Sequence, residues 1–382
     1  MDKKSAVSFL PLRNAISMKR SFIFVTTLRT SLLVALAGFL AGCATPKKGT
    51  TIGPKYIFYP AAPDEPRLQF LTSYETDREL RSGARDNFVT YLTGKQEKVI
   101  PILKPYGGVA GRGRIYVCDT SSSSILRMDL NEHRIHIISP TGPAAFATPV
   151  NLALDTNGWM YVVDVGREQL LILDQDEQLV GTFGKKGETK PRDVALTTDR
   201  IYLSDVTTHS VHVLDKSTRS NLFDIPRAEE KTNVNCQLFQ PINIALDTQG
   251  RLYVSDFGAY RVQVYDVDGK HLRSIGKYGD NFGEFARPKG VAVDRENRVY
   301  VVETAGQHVQ LFDDQGRLLM WFGEPGGSKV ALELPAKVLL DYDDVSLFKK
   351  YAAPDFEIEH LVIVMNQYGK RKVSVFGFGH KK

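Results

Sequence analysis

The sequence predicts an all-β protein in which six like units close into a ring. Three observations lead there. First, one phrase recurs: "RPKGVAVDRENRVYVVETAGQHVQLFDDQG" at 287–316, "QPINIALDTQGRLYVSDFGAYRVQVYDVDG" at 240–269 and "TPVNLALDTNGWMYVVDVGREQLLILDQDE" at 148–177. Second, its third segments, "RVQVYD" (261–266) and "HVQLFD" (308–313), alternate apolar and polar residues as a pleated strand requires. Third, the phrases return about every forty residues, the spacing of propeller blades. The predicted fold is a six-bladed β-propeller with four-stranded antiparallel blades.

The elements follow in chain order. Residues 1–42 carry six Lys/Arg (Lys3, Lys4, Arg13, Lys19, Arg20, Arg29) against Asp2, which accounts for the whole net charge of +5. The rest of the chain is balanced, so no field is left to drive phosphate binding and no nucleic-acid partner is expected. Whether translation starts at Met1 or Met18, a basic start precedes the apolar run "SLLVALAGFLAG" at 31–42. That run is too short to span a membrane and suits a secretory signal peptide. It ends in Leu40-Ala41-Gly42-Cys43, which resembles the lipobox of bacterial lipoproteins. The resemblance implies a lipidated Cys43 and a membrane partner through that anchor. It also implies an envelope location, with Ala44 pointing to the outer membrane facing the periplasm. Prolines in residues 43–66 predict an extended tether.

The ring is expected to occupy 67–382. "RLQFLTSYE" at 67–75 is a strand left over before the first unit, and residues 76–100 read as a short helix or a loop crossing to blade 1. Units begin at Pro105, Pro149, Pro191, Pro241, Pro288 and Pro335. The sixth is interrupted by "YDDVSLFKKYAAPDFEIE" and stops one strand short, so the leftover strand should complete it. Such closure removes exposed sheet edges. Within the interruption Val345, Phe348 and Tyr351 fall at helical spacing, predicting a short helix packed over the far end of the channel. The blade wording "PxGVAVD…VYVVE…HVQLFD" resembles the NHL-repeat family of β-propellers over about residues 100–380. That fold carries enzymes and binding scaffolds alike.

Two rings of residues bear on function. Second strands end in Asp119, Asp164, Asp205, Asp256 and Glu303, with Asn366 in the last blade. They would form a carboxylate ring or, as Asp commonly does, accept backbone amides of their own loops. Two residues after each opening Pro stand Gly107, Asn151, Asp193, Asn243, Gly290 and Lys337. Where the NHL pattern has Gly, Asn151, Asp193 and Asn243 would suit a divalent cation such as calcium, or would bond neighbouring blades. Lactonase-like six-bladed propellers resemble this set, which implies metal-activated hydrolysis as one activity. The metal-binding His and catalytic Tyr/Arg sets of amidating-lyase propellers cannot be placed.

Near the same mouth lie Arg167, Arg192, Tyr260, Arg261, Arg287, Lys289, Lys337, Lys370 and Arg371, a rim for an anionic ligand or an acidic partner, or simply a solvated one. Cys118 and Cys236 have no zinc spacing, and their pairing stays open. No Ser-His-Asp order, phosphate loop or dinucleotide fingerprint is present, so no catalytic residue is assigned. The expected function is a lipid-anchored envelope propeller that binds a protein, peptide or envelope polymer. The alternative is a metal-dependent hydrolase or lyase, and a weaker third reading is an accessory subunit of an envelope redox or secretion complex.

Overall fold

Each blade starts where a proline ends the incoming loop and a short apolar run begins. The computed structural model describes residues 56–81, 98–230 and 232–382. Cys43, the signal peptide and most of residues 76–100 lie outside that set. Blade 1 is β3 (Pro105–Gly111), β4 (Arg114–Asp119), β5 (Ser124–Asp129) and β6 (Arg134–Ile138). Blade 2 runs from β7 (Pro149–Leu154) to β10 (Leu179–Phe183), and blade 3 from β11 (Pro191–Leu196) to β14 (Asn221–Ile225). Blade 4 spans β15 (Pro241–Leu246) to β18 (His271–Ile275), and blade 5 β19 (Pro288–Val293) to β22 (Leu318–Phe322). Every one of these sheets is an antiparallel meander in sequence order.

Blade 6 is closed by both ends of the chain. Its sheet is ordered β1-β2-β25-β24-β23, where β23 is Pro335–Asp341, β24 Phe356–Asn366 and β25 Val373–Lys381. The leftover strand is β2 (Leu68–Tyr74), paired antiparallel to β25 with Leu68 opposite Phe378 and Tyr74 opposite Val373. A fifth strand, β1 (Ile57–Tyr59), pairs with β2. It comes from the stretch assigned to the tether, so residues 56–66 belong to the propeller and not to a spacer. "KYIFYP" is apolar enough to gain a sheet edge, which outweighs the proline signal around it.

Strand periodicity explains why no blade folds alone. On β20 (Val299–Glu303), Val299 and Val301 enter the cluster shared with blade 4, while Tyr300 and Val302 enter the one shared with blade 6. Each blade thus has two apolar faces and needs two neighbours. Among the described residues six such clusters follow one another round the ring. The innermost strands touch in the order β3-β7-β11-β15-β19-β23 and back to β3.

The interruption in blade 6 forms a short helix, α1 (Val345–Phe348), followed by a 3-10 turn over Lys349–Tyr351. Phe348 is buried in the cluster between blades 6 and 1. Gln69 of β2 clamps the segment, its Nε2 donating to the Tyr351 carbonyl (3.0 Å) and its Oε1 accepting from the Ala353 amide (3.0 Å). The helix therefore seals the junction where the two chain ends meet. The sequence reading put it over the channel, but its apolar side chains find more cover at that junction.

A buried acid pair lies beside this helix. Asp344 accepts from the Gly113 amide of blade 1 (2.6 Å), and Asp341 from the Asp343 amide (2.8 Å). The remaining Oδ2 atom of each carboxyl is buried without a partner. Burial first, and the neighbouring Asp344 second, push Asp341 up to about 7. Its folded value is raised above the unfolded one near 3.8, so the folded state holds a proton that the unfolded chain releases. The stability this supplies is complete below about pH 4 and is lost as pH rises to about 7. Asp341→Asn should therefore raise stability by about 1–3 kcal/mol at pH 8, after discounting the shift for solvent. Urea midpoints of the two proteins should converge by pH 4. An unchanged midpoint at pH 8 would mean that the pair shares no proton.

Candidate functional site

The loops that enter the innermost strands and those between second and third strands gather at one mouth of the channel. Carboxylates at the ends of the second strands hold these loops. Asp164 accepts from the amides of Ala147 (2.7 Å) and Thr148 (2.9 Å) in the incoming loop, and from Gly166 and Arg167 (both 3.0 Å) in its own. Asp119 takes Leu103 (2.6 Å) and Ser121 (3.0 Å), Asp256 takes Gln240 (2.8 Å), and Glu303 takes Arg287 and Ala305 (both 2.9 Å). Asp205 takes Lys190 (3.0 Å) and Thr207 (2.7 Å). Burial disfavours a charged His212, yet Asp205 at 3.5 Å and Asp224 at 2.8 Å hold that imidazole up at about 9. In blade 6 Asn366 reverses the pattern, donating to the Arg371 carbonyl (2.6 Å). This ring staples the blade-opening loops, which is the second of the two roles its acids were expected to have.

The second ring does converge, but not as a metal site. Lys337 Nζ, from β23, lies 2.5 Å from Asp193 Oδ2 and 3.0 Å from Asn243 Oδ1. Blades 6 and 3 are opposite members of a six-fold ring, so this ion pair crosses the channel axis. Asp193 is further bound by the amides of Val194 (2.9 Å) and, from blade 4, Ile244 (3.0 Å). Burial pushes its carboxyl above the ordinary range, while Lys337 and those amides pull the other way. Asn151 donates to the Arg192 carbonyl (3.0 Å), joining blades 2 and 3. Gly107 and Gly290 give room: a Cβ at Gly107 would come within 1.7 Å of Asn151 Oδ1, and one at Gly290 within 2.8 Å of Lys337 Cα.

The cation expected between Asn151, Asp193 and Asn243 is thus supplied by the Lys337 ammonium, and the three do not fit a resident calcium beside it. Two like charges at one carboxylate would repel, and a single Asp offers too few hard ligands. Among the described residues no group of three or more His, Cys, Asp or Glu is placed to hold a metal. A lysine at the third position of a blade opening, three blades from the ring's one aspartate, was the available signal. The sequence reading had Lys337 in this ring and on the rim, but did not pair it with Asp193.

Other rim residues divide into two sets. Arg167 donates to the carbonyls of Pro143 (2.7 Å) and Ala145 (2.9 Å), Arg261 to that of Gln237 (3.0 Å), and Arg371 pairs with Glu333 (3.0 Å). These three fasten loops. Tyr260, in the left-handed region at φ 56°, packs edge-on against Tyr278 with ring centroids 4.7 Å apart. Lys370 is exposed in the β24–β25 loop. Arg192, Arg287 and Lys289 make no ion pair or side-chain hydrogen bond with the described residues. Tyr106 and Lys104, which the sequence reading passed over, stand beside them, with Lys289 Nζ 5.3 Å from the Tyr106 ring centre. Cys118 and Cys236 are both buried free thiols.

Fold and ring together define the class, a six-bladed β-propeller. A family model described as a 6-bladed beta-propeller matches residues 204–319. No curated protein matches the chain significantly in sequence. Among solved structures, a gluconolactonase from Xanthomonas campestris is similar at 16% identity and TM-score 0.54, covering 85% of this chain and 97% of that one. Regucalcin from Agrobacterium tumefaciens, a calcium-binding protein, is similar at 12% identity and TM-score 0.50, covering 74% and 92%. A Bacteroides thetaiotaomicron protein of unknown function gives 14% and 0.51, covering 73% and 70%. At these identities the likeness is one of fold.

Proposed function

We propose that the chain is a lipid-anchored binding module of the bacterial envelope, held at the membrane through Cys43 and presenting the propeller's mouth face to a protein or envelope polymer. One observation carries this reading. Most acids at the mouth hold loop amides and Asp193 is paired with Lys337, although Asn151 Oδ1, Asn243 Nδ2, Asp205 Oδ2 and Asn366 Oδ1 are buried without a hydrogen-bond partner among the described residues. The same face, by contrast, leaves large aromatic side chains uncovered. Tyr278 (69% exposed) and Phe282 (50%) stand on the loop into blade 5, and Tyr368 (51%) on the β24–β25 loop. Phe282 stacks on Trp321 with centroids 4.5 Å apart and planes 11° from parallel. Exposed, mutually fixed aromatics supply contact area at small entropic cost, as binding surfaces do. The metal-dependent hydrolase alternative would need a cation among Asn151, Asp193 and Asn243, where the Lys337 ammonium stands.

Photo-crosslinking in the native envelope tests the reading. A crosslinker at Tyr278 or Phe282 should give a discrete adduct, and one at Lys270, on the turn leading into β18 at the other face, should not. Cys43→Ser should release the protein from the membrane fraction. Equal labelling from both faces, or metal-dependent ester or lactone hydrolysis by the purified protein, would replace this function with another.

A further inference from the structure

Residues directly after the blade-opening prolines alternate round the ring. Blades 1, 3 and 5 have Tyr106, Arg192 and Lys289, and blades 2, 4 and 6 have Val150, Ile242 and Ala336. Tyr106 and Lys289 are in contact although blade 6 lies between theirs. The small Ala336 leaves that space, so the three long side chains converge on the mouth. Burial pushes the Tyr106 hydroxyl up from its ordinary value, and the charge of Arg192 pulls it partly back. Lys104 and Arg287 flank the group, Lys104 lying 5.5 Å from the Tyr368 ring centre.

Among the described residues this layer is cationic, with no acid paired to Lys289, Arg192 or Arg287. Burial, then the charges of Arg287 and Lys104, push the Lys289 ammonium down from its ordinary value. Asp193, which lies below Tyr106, is taken by Lys337, and the oxygens of Asp119 and Glu303 are taken by loop amides. A partly buried ammonium whose acting neighbours are both positive is costly, and an anion placed there would offset that cost.

We propose that the mouth is an oxyanion site, in which Lys289, Arg192 and the Tyr106 hydroxyl receive a phosphate or carboxylate group, with Lys104 and Arg287 at its edge. Arg supplies a planar fork of donors and Lys a point charge, and a phenol hydroxyl donates a further bond. This rests on reading the mouth as the binding face, and it names the chemistry that face selects. The aromatic patch on blades 4 and 5 would then hold the rest of the ligand or its carrier.

Calorimetric titration of the purified full chain with pyrophosphate and with citrate tests it. The wild type should bind with one-to-one saturation, by pyrophosphate if the group is a phosphate and by citrate if it is a carboxylate. Lys289→Gln and Arg192→Gln should weaken binding at least tenfold. Arg287→Gln, at an exposed position that keeps the fold intact, should weaken it about threefold. Lys270→Gln removes the same charge from the other face and should stay within twofold. No saturation by either probe, or equal weakening by Lys270→Gln, overturns the site. Crosslinking from Tyr278 is independent of these titrations, so an absent oxyanion site and an absent partner give different results.

Discussion

Lys337→Met is expected to lower unfolding free energy by about 3–5 kcal/mol at pH 7, the cost of leaving one member of a buried ion pair alone. The pair joins opposite blades across the axis, and both side chains are buried. Without Lys337, Asp193 keeps its two amides but loses its counter-charge, and burial then favours the protonated acid. The variant's deficit should therefore shrink as pH falls toward 4 and grow as pH rises, because only the ionised carboxylate lacks its partner. Lys337→Met combined with Asp193→Asn should recover most of the loss, since a neutral pair carries no stranded charge. Urea unfolding of wild type, the two single variants Lys337→Met and Asp193→Asn, and the double variant measures this. A single variant within about 0.5 kcal/mol of wild type would show that solvent, not Asp193, satisfies the ammonium.

Beginning the chain at residue 76 should abolish cooperative folding. The truncation removes β2, whose Leu68, Leu71 and Tyr74 are buried in the clusters on both sides of blade 6. At about 2 kcal/mol for each buried side chain, with the β25 ladder lost as well, the change is comparable to the ~5–15 kcal/mol that holds a domain together. It also bares β25, a long apolar edge that invites aggregation. Size-exclusion chromatography should show aggregates, and a synthetic peptide of residues 56–75 added during refolding should restore a monomer by supplying the missing strands. A truncated protein that stays monomeric with an unchanged melting temperature would make closure dispensable.

The six opening prolines, the alternating third strands and the surplus strand at 67–75 gave the blade count and the closure, because strand period and turn residues are local properties of a chain. The second-strand acids were legible as loop acceptors for the same reason. Contacts between blades were not legible. That Lys337 reaches Asp193 follows from two residues 144 apart facing each other across an axis, which only ring closure produces. Tyr106 and Lys289 became neighbours across blade 6, whose residue at the same position is the small Ala336. The strand at Ile57–Tyr59 appeared because the sheet offered an edge. Sequence by itself determined what each blade is, since hydrogen-bonded pleating acts within a unit. Tertiary structure decided what stands at the centre, since charge and shape there are set by six blades at once.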